Sequence, residues 1–211
     1  LKTDFLLVAS GSNNTIWNSL KSLKHTIIEP VPSLFTFNTK NNLFRELSGI
    51  SIPSTKIKIK ESAFETNGIL LITHTGLSGP VILKLSAFGA RFLAEKNYQF
   101  SILINWINES KDKAIIELNA IKIEHSKKAI QNFSPYKLAN RFWKNCLLEL
   151  NIDTDKQWAN LNKNELHSIA DFLTNCEINI QSKSTNKDEF VTAGGVALNE
   201  GQFKTMQSEI V

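Results

Sequence analysis

The sequence contains few of the residue types, and none of the short motifs, that identify common catalytic and metal sites. Its 211 residues include two cysteines, Cys146 and Cys176, without a C-x-x-C motif, so we expect two reduced thiols rather than a disulfide. The four histidines show no H-E-x-x-H spacing, and G-x-S-x-G, P-loop and G-x-G-x-x-G patterns are all missing. We therefore predict no metal site, and no motif identifies a nucleophilic serine or a nucleotide phosphate site.

Long apolar runs are missing as well. No run approaches the roughly 20 residues that a membrane span requires, and the N-terminus lacks the order of a signal peptide. We therefore expect a cytoplasmic protein with no membrane partner. The chain begins with Leu1 and its one methionine is Met206, so we interpret the sequence as an excerpt of a longer protein.

Arginine is also scarce. The formal net charge is +4, but lysines supply almost all of the positive charge and lie scattered along the chain. Proteins that read base edges rely largely on arginine for bidentate contacts to guanine. We therefore do not expect nucleic acid to be a partner.

Short apolar segments separated by turn residues fill the first half of the chain. A continuous apolar run at residues 4–10 predicts a buried strand, and a short helix is predicted at residues 15–23. Further short strands are predicted between residues 34 and 106, and their close spacing favours a small barrel or sandwich. One helix interrupts this series after Pro80, because proline is tolerated in the first turn of a helix.

The hydrophobic period then changes to that of helices. Three helices are predicted: one within residues 109–133, one starting at Ser134, and one after Asn162, where Glu165 completes a capping-box pattern. Three consecutive helices with short connections are typical of a small bundle.

The last part of the chain returns to β-structure. Strands are predicted at residues 176–182 and 190–198. Strands before and after a helical bundle can belong to one sheet. We therefore predict an α+β fold in which a helical bundle is inserted into a β region.

The octapeptide THTGLSGP at residues 73–80 joins a predicted strand to a predicted helix. Its glycines permit close approach of the backbone to a ligand, and the free N–H groups of a helix N-terminus favour an electron-rich group. His74 is then a candidate proton donor. The alternative is an ordinary turn, in which Gly76 and Gly79 serve the backbone and His74 is a polar loop residue.

The segment TAGGV at residues 192–196 follows a strand-like run. A flat ligand could lie against the bare backbone of Gly194 and Gly195. An adjacent glycine pair is equally typical of a tight turn, and the spacing does not decide between the two.

Three stretches taken together resemble one protein family. They are HTIIEPVPSLFTF, LLITHTGLSGPVILKLS and FVTAGGVALNEGQFKTMQSEIV, which begin at His25, Leu70 and Phe190. Over nearly its whole length the chain resembles the BaiN/YhiN-like NAD(P)/FAD-dependent oxidoreductases, also described as aminoacetone-oxidase-family FAD-binding flavoproteins. In that family a split Rossmann-type FAD domain carries an insertion made of a translation-factor-like antiparallel β-barrel and a small helical bundle.

The resemblance implies four parts of the chain. Residues 1–31 would be a remnant of the flavin domain with a linker, 32–108 together with 174–189 the β-barrel, 109–173 the helical bundle, and 190–211 the return to the flavin domain. Because the family's dinucleotide fingerprint is missing from this sequence, we expect the insert region without a complete FAD-binding domain. Such a fragment would be inactive alone.

The resemblance also implies roles for the two glycine-containing segments. His74 would be catalytic, in a cavity that faces the flavin. Substrate would contact Thr73, Thr75, Gly76, Leu77, Ser78 and Gly79. The flavin would contact Thr192, Ala193, Gly194, Gly195 and Val196. FAD is the expected cofactor of the longer protein and not of this fragment, NAD(P)H is the expected electron partner, and the other expected partners are the flavin-binding domain and a small-molecule substrate.

Two alternative hypotheses remain at the level of the sequence. The chain could be a binding module that recognises a partner or nucleic acid without a redox role, or a divergent family member that has lost its cofactor. A G-x-G-x-x-G motif preceding this sequence would favour the oxidoreductase over the binding module. A complete protein that stays colourless with added FAD would favour loss of the cofactor.

Overall fold

The computed structural model describes residues 3–44, 46–184 and 191–210. The helices are α1 (Asn14–Ser22), α2 (Pro80–Phe88), α3 (Ala90–Glu95), α4 (Lys111–Glu124), α5 (Asn140–Glu149) and α6 (Lys163–Asn175). The strands are β1 (Ile27–Pro32), β2 (Phe37–Asn38), β3 (Ser51–Ile59), β4 (Glu65–Ile72), β5 (Gly76–Ser78), β6 (Phe100–Asn105), β7 (Cys176–Ile180), β8 (Ser182–Lys183), β9 (Thr192–Val196), β10 (Gly201–Gln202) and β11 (Gln207–Ser208). The fold is mixed, with helices and antiparallel sheets.

The main sheet closes into a barrel. Its strand order is β7-β6-β3-β4-β5-β2-β8, and only Gln181 separates β7 from β8 in the chain. This one segment pairs with β6 on one side and with β2 on the other. The backbone N–H of Gln181 also donates to Asn38 O at 2.9 Å. The prediction of a barrel is therefore confirmed, and closure removes the exposed edges that an open sheet would have.

The barrel interior follows the period-two alternation of its strands. On β3 the side chains of Ile57 and Ile59 are fully buried, whereas Lys58 between them is exposed. The apolar core continues into the helices through Trp106, whose ring lies 4.8 Å from that of Phe142, centroid to centroid. Barrel and helices therefore share one hydrophobic core.

The helical bundle consists of α4, α5 and α6 and is inserted between β6 and β7. The capping box predicted at the start of α6 is present: the N–H of Glu165 donates to Asn162 Oδ1, and the N–H of Asn162 donates to Glu165 Oε2, both at 2.9 Å. The predicted start of the second helix at Ser134 is wrong. Tyr136 and Lys137 have φ values of 53° and 55°, so the backbone becomes α-helical only at Asn140.

The buried strand predicted at residues 4–10 is not formed. The side chains of Phe5 and Leu7 are 81% and 88% exposed, and no described strand lies beside this segment. An apolar run indicates a tendency to be buried, but it does not supply a partner strand, so the prediction is wrong for the described chain.

Two small two-stranded sheets lie outside the barrel sheet. One joins the N-terminal and C-terminal parts of the described chain, and the other lies in the C-terminal part. Strand β9 pairs with β1, and β10 pairs with β11. Two-stranded sheets do not identify a Rossmann-type domain, so the flavin-domain remnants stay a prediction, as do the four domain boundaries. Residues 185–190, part of which was assigned to the barrel, lie outside the described chain.

The helices are short or carry many charged side chains. None of the helices in the described ranges combines the length and the apolar character that crossing a bilayer requires. The cytoplasmic location stays a prediction.

Candidate functional site

A polar cleft lies where the barrel closes. Its volume is about 900 Å³, and it is lined by residues between 38 and 48, by residues 73–76, and by Gln181 and Ser182. These residues belong to the end of β2 and the segment that follows it, to the turn that leads into β5, and to the junction of β7 with β8. We call this the seam cleft.

Residues 38 and 39 form the fixed wall of the seam cleft. The Thr39 N–H donates to Thr75 O at 3.0 Å, and the Thr39 hydroxyl donates to Asn179 O at 2.8 Å. The side chain of Asn38 donates to Ser182 Oγ at 3.1 Å. Bonds on both sides therefore hold this wall between the 73–76 turn and the closing segment.

The 73–76 turn is tight and depends on its glycine. The Thr73 N–H donates to Gly76 O at 2.8 Å, and the Gly76 N–H donates to Thr73 Oγ1 at 3.1 Å. Gly76 has φ 154°, and a Cβ placed on it would overlap with Phe37 O. Only glycine fits here, because the backbone of β2 packs directly against this position.

His74 lies at the exposed tip of this turn. It is the one histidine among the residues that line the seam cleft, and within the described chain its ring makes no hydrogen bond or ion pair. Lys40 and Glu46 are the other ionisable residues of the lining. An imidazole that lines an open cleft can exchange a proton with a bound molecule.

The predicted substrate segment divides into two parts in the structure. Thr73, His74, Thr75 and Gly76 come together in the seam cleft. Leu77 is fully buried in the core. Ser78 and Gly79 lie against β4, where Ser78 pairs with Leu71 and a Cβ on Gly79 would lie 2.8 Å from Ile69 O. The residues from Leu77 to Gly79 therefore do not line the cleft, and the predicted loop contains the short strand β5.

Sequence reasoning missed the opposite wall of the cleft. The stretch NTKNN from Asn38 to Asn42 is rich in amides and hydroxyls and directly follows a strand. That polarity was a signal for a surface site. It could not show that Gln181, far away in sequence, would lie beside the same cleft.

The glycines of β9 are accounted for by packing within the chain. Strand β9 pairs with β1. A Cβ on Gly194 would lie 2.8 Å from Pro30 Cα, and one on Gly195 would lie 3.2 Å from the ring of Trp17. None of the residues of β9 lines the seam cleft.

The Cβ side of both glycines of β9 is occupied by other parts of the chain. β1 takes this position at Gly194 and Trp17 takes it at Gly195, while Gly194 itself is exposed. The indole nitrogen of Trp17 makes no hydrogen bond in the described chain, but it is buried and does not face an open surface. The flavin contact at residues 192–196 stays a prediction.

The two cysteines are free and buried. Burial raises the pKa of the Cys176 thiol to about 12 and holds the pKa of the Cys146 thiol well above its usual range. Both are therefore packed thiols without nucleophilic character at neutral pH. In the described parts of the chain, no three His, Cys, Asp or Glu side chains are grouped so that they could hold a metal ion.

Comparison with known proteins gives consistent matches. The family model for the HI0933-like protein barrel and H2TH domain matches residues 31–191. The ribosomal RNA dihydrouridine synthase of Haemophilus influenzae is 28% identical over 191 residues, which cover 88% of this chain and 44% of the relative. The protein of the same name from Escherichia coli is 26% identical over 167 residues, 78% of this chain and 38% of the relative. The chain thus spans less than half the length of either relative.

Proposed function

Because the chain belongs to the family of HI0933-like proteins with a barrel and H2TH domain, we propose that it is the substrate-binding part of an enzyme that reduces uridine to dihydrouridine in ribosomal RNA. This is the activity that the names of two relatives state. The proposal keeps the oxidoreductase predicted from the sequence, since the conversion adds two hydrogens across a double bond of uracil. The narrower BaiN/YhiN-like assignment stays a prediction.

The observation that carries this proposal is the position of the predicted turn. Residues 73–76, singled out from the sequence, line a cleft of about 900 Å³, and they do so together with a polar wall that was not predicted. A ligand pocket typically combines a concave shape with a few converging polar groups. The seam cleft has both properties.

The lining of the seam cleft suits the edge of a uracil ring. Uracil offers two carbonyl acceptors and one N–H donor, and an amide side chain can donate and accept at once. Asn42 and Gln181 line the cleft and make no side-chain hydrogen bonds within the described chain. We propose that these amides bind the uracil edge and that Thr75 adds a hydroxyl contact.

His74 would then supply a proton to the reduced ring. Reduction of a carbon–carbon double bond needs a hydride at one carbon and a proton at the other. The hydride would come from reduced FAD held outside the described residues, and NAD(P)H would be oxidised to NAD(P)+ in reducing that flavin. The part of this chain is to bind the base, limit water in the cleft and hold a proton on an imidazole nitrogen of His74.

This proposal departs from the sequence-based expectation that nucleic acid is not a partner. That expectation rested on the scarcity of arginine, which matters for reading base edges. Lysines bind backbone phosphates without reading sequence, and the net charge of +4 is compatible with such contacts.

A second candidate is an RNA-binding module without a redox role. It is favoured by one observation, namely that β1 and Trp17 occupy the Cβ side of the β9 glycines, beside which a flavin was predicted. In both candidates the protein binds RNA. They differ in whether the protein also reduces a uridine of that RNA.

The test is the conversion itself. The complete protein would be incubated with unmodified ribosomal RNA, FAD and NADH or NADPH, and the nucleosides would be analysed by mass spectrometry. Dihydrouridine that forms only with the protein and a reduced nicotinamide is the expected result. RNA that binds but stays unmodified would favour the second candidate, and absence of both binding and conversion would refute the proposal.

A further inference from the structure

A second cleft lies in the helical bundle between α4 and α6, apart from the barrel seam. Its volume is about 350 Å³, and its lining consists of Ile115, Asn119, Lys122, Lys163, Leu166 and His167. Two lysines and a histidine therefore share one small cavity, and no carboxylate is part of the lining. We call this the bundle cleft.

Among the described residues, no ion pair cancels the positive charge of the bundle cleft. Other lysines of the bundle have carboxylate partners: Lys111 pairs with Asp171, Lys113 with Glu109 and Lys156 with Glu165. In the described chain Lys163 has no such partner, and the ammonium group of Lys122 donates to the carbonyl of Leu161 at 2.5 Å. A carbonyl contact positions the ammonium group without neutralising it.

Glu165 interacts electrostatically with Lys122, but its carboxylate is already occupied. It accepts from Lys156 Nζ at 2.6 Å through one oxygen and from the Asn162 N–H at 2.9 Å through the other. Both oxygens are therefore used in the ion pair and the capping box. The donors of the bundle cleft remain available for an external anion.

We propose that the bundle cleft binds a backbone phosphate of the RNA substrate, an inference that rests on the proposed function. A phosphodiester group accepts hydrogen bonds from ammonium and imidazole groups and favours a site of positive charge. Ile115 and Leu166 form an apolar wall that strengthens these contacts by excluding water. The bundle cleft would fix the position of the RNA, while the seam cleft would select the base.

Lys163 is the residue of choice for the test. It is exposed at the first position of α6, and glutamine has a similar helix propensity, so Lys163→Gln should fold normally. Lys58→Gln is the matched control. It removes the same charge from an exposed position on the outer face of β3. Lys58 is not part of the bundle cleft.

The measurement is the affinity of the complete protein for a ribosomal RNA fragment as a function of salt concentration, by fluorescence anisotropy. Loss of one phosphate contact should reduce the slope of log K against log salt by about 0.9 if the bound RNA is helical and by about 0.7 if it is single-stranded. We expect this change, and weaker binding at low salt, for Lys163→Gln and not for Lys58→Gln.

Each result decides the proposal independently of catalysis. An unchanged slope in Lys163→Gln, an equal change in Lys58→Gln, or absence of RNA binding by the unaltered protein would overturn the phosphate site. Dihydrouridine formation with an unaltered Lys163→Gln slope would refute this inference alone. A changed slope without any dihydrouridine would refute the proposed function and leave the phosphate site standing.

Discussion

The side-chain amide of Asn38 donates to Ser182 Oγ at 3.1 Å and to the Lys183 carbonyl at 3.1 Å. Asn38 ends β2 and Ser182 begins β8, so these bonds join strands that are 144 residues apart in sequence. Both residues also line the seam cleft. The contacts that close the barrel therefore shape the candidate site, and we expect stability and substrate binding to be coupled at this seam.

Gly76→Ala should be strongly destabilising. The new Cβ would overlap with Phe37 O and lie 2.9 Å from Thr39 N, so β2 would have to move away from β5. We expect a loss of about 3 kcal/mol or more in the free energy of unfolding, measured by urea denaturation, because overpacking combines here with an unfavourable φ.

Gly49→Ala is the control for Gly76→Ala. Gly49 also has a positive φ, 88°, but no atom lies within 4 Å of the position that a Cβ on it would take. It should therefore show only the backbone cost of about 1–2 kcal/mol. Equal losses in the two variants would mean that β2 does not press against Gly76.

Glu165→Gln should measure how much the negative charge of Glu165, in the capping box of α6, contributes to the free energy of unfolding. Burial opposes ionisation of Glu165, but the hydrogen bonds from Lys156 and from the Asn162 N–H outweigh it and lower the pKa of the carboxyl. Glutamine can keep the capping geometry but loses the ion pair. We expect a loss of about 0.5–1 kcal/mol in unfolding free energy at pH 7.

The pH dependence of this effect follows from the sign of the shift. A carboxyl with a lowered folded-state pKa stabilises the fold above its unfolded pKa of about 4.3, and this contribution disappears as the pH falls through the folded-state value. The stability difference between the unaltered protein and Glu165→Gln should thus shrink below about pH 4. Glu165→Ala should cost about 1 kcal/mol more at pH 7, because it also removes the cap. A pH-independent difference would contradict the ion pair.

The two thiols should react with alkylating reagents only when the protein unfolds. Cys146 is fully buried and Cys176 is 7% exposed, and burial raises the pKa of both thiols. We expect iodoacetamide labelling at pH 8, followed by mass spectrometry, to be slow in the native protein and rapid in guanidinium chloride. Rapid native labelling of either thiol would show that the packing around α5 or β7 opens readily.

Local sequence signals predicted the elements that depend on neighbouring residues. The capping box of Asn162 and Glu165 marked the start of α6, and short apolar segments between turn residues marked the strands between residues 34 and 106. Both kinds of signal depend only on residues that are close together in the sequence. The prediction of a barrel followed from the close spacing of such strands.

Elements that depend on distant contacts were not predictable. Strand β5 has three residues and exists because β2 and β4 pair with it. The helix predicted after Pro80 is divided at Gly89, where a Cβ would lie 2.9 Å from Ile59 Cδ1. The apolar run at residues 4–10 has no partner strand among the described residues. The seam cleft was not predictable for the same reason, because its two walls are brought together only by closure of the barrel.

The central claim is that the seam cleft holds the uracil and that His74 gives it a proton. The direct test is the single-turnover rate of uridine reduction in ribosomal RNA by the complete, flavin-loaded protein carrying His74→Gln, which can form hydrogen bonds but cannot act as an acid. His125→Gln, in the bundle and outside the seam cleft, is the control. We predict a rate lower by about 100-fold or more for His74→Gln, with RNA affinity unchanged and the control near the unaltered rate. An unaltered rate in His74→Gln would contradict the claim.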